Sequence, residues 1–240
     1  MDIAKRISEL GCKTYIVGGY VRDTLLGIKP ADVDIFTEAA VDQILSIFPN
    51  ANTKWTKWNV LIINGIDVAS YRDGATTLCE DASRRDFTIN ALYYDFTSQT
   101  IIDPTHMGIS DINNKIIRSV NSFESDIYRI IRCIRLAANL GFSIEESTYK
   151  SMIEIINRID WDKLDYMKIW REIYKLKSFN KAVEVLALQG VYDDNDPLAI
   201  NIYKFILNIC HDRDICLSII NKFNMSKRDK KLITDYIENN

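Results

Sequence analysis

The stretch NVLIINGIDVASY, residues 59–71, constrains the fold more than any other part of the chain. Two β-rich runs flank Asn64-Gly65, and a two-residue hairpin turn needs φ > 0 at both central positions, which Asn and Gly tolerate. Residues 60–63 and 66–71 are therefore expected to pair as antiparallel strands. That pairing sets Asp67 between Ile66 and Val68, on the same face as Ala69 and Tyr71. A charge in so apolar a strand costs free energy unless a partner or an ion compensates it. The alternative is an edge-strand acid facing water.

A hairpin of this kind belongs to a sheet, and the preceding residues supply one. Helical periodicity over 2–10 ends at Gly11, a natural C-cap. Residues 14–17 form a short apolar strand closed by Gly18-Gly19. A short helix over 21–26 stops at Gly27, a second strand follows at 33–36, and an amphipathic helix covers 41–48. Another helix is expected to begin near Arg85, and after residues 91–96 comes a last strand at 100–102. From about Ile112 glycines become sparse and strand-like runs disappear. Helical periodicity then runs through IYRIIRCIRLAANLG and STYKSMIEIINRI, the latter entered by Ser143-Ile144-Glu145-Glu146, which fits a capping box. Further helices are expected at KIWREIYKL, at NKAVEVLAL and at the C-terminus, with VYDDNDP at 191–197 as a linker. The fold class is α+β. An N-terminal domain over 1–115 carries a mixed or antiparallel sheet with helices, an all-helical region covers 116–194, and a short helical region covers 195–240.

Composition limits the partners. No apolar run among the 240 residues approaches the ~20 needed to cross a bilayer, so no membrane partner is expected. MDIAKRISELG lacks the apolar core of a secretory signal. The five cysteines are scattered without a CxxC pair, which points to reduced thiols in a cytoplasm and away from a disulfide framework or structural zinc. A net charge of −3 counts mildly against nucleic acid as a partner. Arginines nevertheless gather at Arg84/Arg85 and at Arg129, Arg132 and Arg135, and lysines at Lys227, Lys230 and Lys231.

Three groups of residues carry possible chemistry. Asp32 and Asp34 stand two apart on the 33–36 strand and project from one face. Converging carboxylates suit Mg²⁺, which takes oxygen ligands and borrows the rest from phosphates and water. If the hairpin strand of Asp67 lies beside them, Asp67 adds a third carboxylate. A solvated strand end is the plain alternative. Gly18-Gly19 before a helix permits close backbone approach to an anion, and Arg22 on the first turn could add a charge-assisted contact to phosphate. In EDASRRDFTINALYYD, helical register would place Asp86 and Asn90 on one face. This stretch reads either as a capped helix with solvated arginines or as a ribose and triphosphate holder built from Arg85, Asp86 and Asn90. Finally, Asp126, Arg129 and Arg132 fall at i, i+3 and i+6 in SDIYRIIRCIR. A carboxylate beside a guanidinium can imitate a base-pairing partner, or it can be only an intrahelical ion pair.

Taken together, GGYVRDTLLG, DVD, RRDFTINAL, IIDPTHMGISDINNKIIRSV and F-x-x-D-x-x-R-x-x-R-x-x-R-L-A-A, in that order, resemble class II tRNA nucleotidyltransferases, a group that includes CCA-adding enzymes and bacterial poly(A) polymerases. The resemblance runs from about Tyr15 to Leu188. It implies that Asp32 and Asp34 bind catalytic Mg²⁺, with Asp67 at the third acidic position. Gly18, Gly19 and Arg22 would contact the triphosphate, while Arg85, Asp86 and Asn90 would read the ribose. Asp126 and Arg129, with Arg132 assisting, would select incoming CTP or ATP without a template. The acceptor would be the 3′ end of tRNA or another RNA, gripped by the helical region. Three departures are visible. Ser125-Asp126-Ile127 stands where the family usually has Glu-Asp-Pro. The segment between Arg72 and Arg84 is shorter than in CCA-adding members, and relatives lacking that loop add only two cytidines. Most of the tail that grips the tRNA elbow is expected to be absent or replaced by residues 195–240.

Overall fold

The computed structural model describes residues 2–71, 75–156, 158, 159, 163–165, 168, 171, 172, 175–177 and 231. In chain order the elements are α1 (Asp2–Ser8), β1 (Thr14–Val17), α2 (Gly19–Leu25), β2 (Asp34–Thr37), α3 (Val41–Ile47), β3 (Val60–Ile63), β4 (Ile66–Ser70), α4 (Leu78–Ala82), β5 (Tyr93–Asp95), β6 (Ile101–Ile102), α5 (Gly108–Asn114), β7 (Ile116–Ile117), α6 (Arg129–Leu140), β8 (Ser143–Ile144) and α7 (Glu146–Ile156). They fall into two compact units. One runs to residue 114 and adds 118–121; the other takes 115–117 and the chain from 122 onward.

The first unit is built on a six-stranded mixed sheet of order β3-β4-β2-β1-β5-β6. The hairpin forms as expected, with Ile63 opposite Ile66 and with Asn64 at φ 51° and Gly65 at φ 79°. β4 then lies parallel to β2, pairing Asp34 with Asp67, Ile35 with Val68, Phe36 with Ala69 and Thr37 with Ser70. Side-chain alternation explains this register. Ile35, Val68 and Leu61 pack with Ile3, Ala4 and Ile7 of α1 and Ile44 of α3. Phe36 joins Tyr15, Val17 and Tyr93 in a second cluster that Ala69 and Tyr71 flank. The Phe36 and Tyr71 rings meet edge-on at 4.9 Å. A slip of one residue would exchange these faces and drive a carboxylate into the aliphatic cluster, so the register is strongly specified.

Several expectations are corrected. No helix begins at Arg85. The helix lies earlier, in α4, where the Thr77 hydroxyl and the Glu80 carboxylate close a reciprocal cap. The chain is extended at Phe87 and makes one 3₁₀ turn over Thr88–Asn90. Phe87 is fully buried and bridges to Ser119, and that tertiary contact overrides local helical propensity. Residues 91–96, read without an element, contain β5, inserted between β1 and β6 with Tyr93 opposite Val17. The second unit is not all helical, because β7 and β8 pair in parallel, Ile117 against Ile144. Ser143 is consumed by that strand and cannot cap α7. Glu145 does so instead, its Oε2 accepting from the Thr148 N–H at 2.7 Å and from the Ser147 and Thr148 hydroxyls at 2.7 and 2.8 Å. The helix expected at 168–176 lies largely outside the described residues. The helix at 180–188 and the 191–197 linker lie wholly outside them, as does the C-terminal helix apart from Lys231.

Candidate active site

β1 ends at Val17, whose partner across the sheet is Asp34. The chain turns there through Gly18 at φ 71°, ψ −133°, a backbone region that residues with a Cβ rarely enter. A Cβ on Gly18 would stand 3.6 Å from Arg85 Nη1 and 3.9 Å from both the Asn90 carbonyl oxygen and Asp34 Oδ2. One on Gly19 would stand 3.4 Å from Arg22 Nη2. The glycine turn is therefore where an arginine from the α4 side, an asparagine from the 3₁₀ turn and the first carboxylate of β2 meet.

The carboxylates come from neighbouring strands. Asp34 and Asp67 are direct parallel partners, both exposed, and parallel partners project to the same side of a sheet. Asp32 is exposed and lies two residues before β2 begins rather than on it. Strand pairing to β1 stops at Asp34 because β1 has already turned away at Gly18. Among the described residues, no group of three or more His, Cys, Asp or Glu side chains stands close enough to enclose a metal ion. The donor set is thus two adjacent hard oxygen ligands, which fits a Mg²⁺-type ion that completes its shell with water and substrate phosphate.

The cationic and polar residues are tied into one network. Arg22, 9% exposed, donates from Nε and Nη2 to Asp23 Oδ1 at 2.8 and 2.7 Å, and from Nη1 to Asn90 Oδ1 at 2.5 Å. Asn90 Nδ2 donates to Asp86 Oδ1 at 3.0 Å, which also accepts the Phe87 N–H at 2.8 Å. Asp86 and Asn90 therefore touch as expected, but across a 3₁₀ turn and not along a helix face. Arg85 is clamped from behind. Its Nε donates to Asp81 Oδ2 at 3.0 Å and to the Tyr93 hydroxyl at 2.9 Å, and that hydroxyl donates to Asp81 Oδ2 at 2.5 Å. Burial opposes the charged guanidinium, yet the Tyr93 and Asp81 oxygens more than offset it and hold the Arg85 pKa above its ordinary value. Burial likewise pushes the Tyr93 hydroxyl up. With Nε occupied, the Nη1 edge is left facing the Gly18 turn.

Asp81, Tyr93 and Asp23 were not among the sequence candidates. The i, i+4 spacing of Asp81 and Arg85 was a usable signal; nothing local pointed to Tyr93. Behind the turn, buried Asp111 accepts from the Thr88 hydroxyl at 2.6 Å and pairs with Arg118 at 3.1 Å, anchoring the segment that carries Asn90.

Asp126, Arg129 and Arg132 belong to the second unit and do not form one helical stripe. α6 starts at Arg129, with Asp126 extended ahead of it at φ −157°. There the Asp126 carboxylate accepts the Tyr128 N–H at 3.1 Å, while its Oδ2 stands 4.0 Å from Arg129 Nε. Arg132 and Arg135 grip opposite oxygens of Glu172 at 3.1 and 2.8 Å.

A mixed sheet that presents paired carboxylates beside a glycine turn, with arginines and an asparagine converging on the same turn, is a nucleotidyltransferase-type head. A family model described as the poly A polymerase head domain matches residues 14–64 and 64–118. A CCA-adding enzyme of Staphylococcus aureus (strain Newman) is 31% identical over 276 residues, covering 98% of this chain and 67% of that protein. A CCA-adding enzyme of Lactococcus lactis (strain MG1363) is 35% identical over 199 residues, 72% of this chain and 48% of the relative. The CC-adding tRNA nucleotidyltransferase of Halalkalibacterium halodurans is 35% identical over 159 residues, 63% of this chain and 41% of the relative. The crystal structure of the Bacillus stearothermophilus CCA-adding enzyme in complex with CTP matches at TM-score 0.71 and 27% identity, covering 99% of this chain and 66% of that one. The chain belongs to the class II tRNA nucleotidyltransferase family, whose members are metal-dependent. It spans about half the length of the Lactococcus relative.

Proposed function

We propose that the chain is an RNA 3′-terminal nucleotidyltransferase, transferring CMP from CTP to the acceptor end of tRNA without a template and releasing pyrophosphate. The observation that carries this reading is the parallel register that seats Asp34 beside Asp67, next to a glycine turn that Arg85 and Asn90 approach. In that arrangement Gly18 and Gly19 let the triphosphate come close to the backbone. Arg22 and Arg85 donate to its oxygens through guanidinium N–H groups that their buried partners pre-orient. The Asn90 and Asp86 side chains face the ribose hydroxyls. On the second unit, Asp126 and Arg129, with Arg132 assisting, would offer an acceptor and donors to a base edge. Asp34 and Asp67 would hold Mg²⁺, with Asp32 joining only when a bound ion draws its carboxylate in, since the described residues hold no ready group of three. When bound, the metal would activate the attacking 3′-hydroxyl and neutralise charge on the leaving pyrophosphate.

The short segment between Arg72 and Arg84 bears on whether AMP follows the two cytidines, since relatives without the loop are CTP-only enzymes. Short poly(A) addition is the second reading, favoured by the family model's own description. Cytoplasmic residence belongs to this proposal; among the described residues no helix is long and apolar enough to cross a membrane. The test incubates the purified chain with Mg²⁺, labelled CTP or ATP, and tRNA lacking its CCA end, then sequences the product 3′ ends. Two added cytidines support a CC-adding enzyme and a completed CCA supports a CCA-adding one. An adenosine run moves the chain to the second reading. No incorporation in any combination removes both.

A further inference from the structure

Between Asp42 and Asp67 the chain carries no carboxylate, although its net charge is −3. At the middle of this interval, TKWTKWN forms a 3₁₀ turn over Thr56–Trp58. Its two indoles are among the most exposed large apolar side chains in the first unit, Trp55 at 42% and Trp58 at 48%. Each is paired with its own lysine. Lys54 Nζ stands 5.2 Å over the Trp55 ring, and Lys57 Nζ stands 5.1 Å over the Trp58 ring.

The turn is anchored, not loose. Asn59 takes the left-handed conformation at φ 53°. Its side-chain amide donates to the Tyr71 carbonyl at 2.6 Å, and its own carbonyl accepts the Ser70 N–H at 3.0 Å. These contacts tie the turn to the end of β4 that is three residues beyond Asp67, a rise of about 10 Å along the strand. Nothing in the nucleotide site described above uses these residues.

We propose that Trp55 and Trp58, with Lys54 and Lys57, form an accessory RNA contact on the head unit, where unpaired bases stack on the indoles and the adjacent phosphates meet the ammonium groups. This deepens the proposed function and rests on the substrate being RNA. Two half-exposed indoles within four residues, each with a cation over its ring, combine stacking surface with positive charge, as single-stranded RNA requires. Stacking tolerates any base, so the surface supports grip without sequence choice. A second copy of this chain fits poorly, because docking the turn on itself would set lysines against lysines, and the stretch between Asp42 and Asp67 carries no carboxylate to offset them.

The test uses the full chain, with Trp55→Ala/Trp58→Ala and Lys54→Gln/Lys57→Gln as double variants, and far-ultraviolet circular dichroism confirming the fold of each. Affinity for a fluorescent single-stranded RNA oligonucleotide is measured by anisotropy over a salt series, without nucleotide or metal. The tryptophan variant should lose at least about tenfold in affinity. The lysine variant should lower the slope of log K against log salt by about 1.4, the value for two phosphate contacts on a single strand. The KM for CTP should stay unchanged in both. Unchanged RNA affinity in the tryptophan variant overturns the inference. So does a variant that keeps RNA affinity while losing adsorption to vesicles containing anionic lipid, which would assign the surface to a membrane. If the native chain adds nucleotides while both variants bind RNA normally, only this inference falls. If the native chain adds none yet the variants lose RNA affinity, only the proposed activity falls.

Discussion

Replacing Asp81 by Asn removes the charge that holds Arg85 from behind while keeping the side chain's size. The pair is well shielded, with side-chain exposures of 7% for Asp81 and 21% for Arg85, and Asp81 Oδ2 also accepts from Tyr93. Leaving a buried guanidinium without its carboxylate costs about 3–5 kcal/mol when desolvation is complete. The partial exposure of Arg85 brings the expected loss down to about 2–3 kcal/mol. Urea unfolding of the native chain and of Asp81→Asn measures it directly. The mechanism makes a sharper demand in a double-mutant cycle with Arg85→Met. Once the guanidinium is gone, the carboxylate has no cation to satisfy, so Asp81→Asn should cost at least ~1 kcal/mol less in that background. The nucleotide site should respond in parallel, with a raised KM for CTP in Asp81→Asn that is no longer additive when Arg85 is already Met. Equal losses in both backgrounds would refute the clamp as the reason Arg85 faces the Gly18 turn.

Asp34→Ala and Asp67→Ala should each lower nucleotide transfer by at least about 100-fold. Neither should destabilise the fold by more than ~0.5 kcal/mol, because both residues are exposed and side-by-side like charges repel; incorporation assays and urea melts separate the two effects. Gly18→Ala has room for its methyl group but not the backbone for it, at φ 71°. It should cost about 1–3 kcal/mol and weaken CTP binding in equilibrium titration. Gly27→Ala, at φ 68° with open space around it, should carry a similar conformational penalty and leave CTP binding intact. Glu145 is pushed up by burial, but the Ser147 and Thr148 hydrogen bonds outweigh that and bring its pKa down to about 2. A lowered carboxyl pKa stabilises the fold above the ordinary value and loses that contribution as pH falls from about 4.5 toward 2. Glu145→Gln should therefore flatten the decline in melting temperature across that window.

The sequence alone determined whatever depends on neighbours a few residues away. Asn64-Gly65 specified a hairpin because its turn dihedrals are a property of those two residues, and the observed φ values agree. The strand over 14–17, the glycine turn after it and the end of the first helix before Gly11 were legible for the same local reason. Motif order pointed to the family before any geometry was known. Tertiary structure decided everything that depends on distant partners. That Asp34 pairs with Asp67 follows from a parallel register set by Ile35 and Val68 packing on α1 and α3, which no local pattern encodes. Asp86 and Asn90 meet because Phe87 is drawn into the core and bridges Ser119, so the helical spacing foresaw the contact but not its backbone. Ser143 lost its capping role when β8 claimed it, and Glu145 took it over because its carboxylate could reach the Thr148 N–H. The position of Arg85 beside Gly18 rests on Asp81 and on Tyr93, a residue of a strand that local periodicity did not reveal. Dihedral preferences act within a turn, whereas burial and charge pairing act between segments the chain must first bring together.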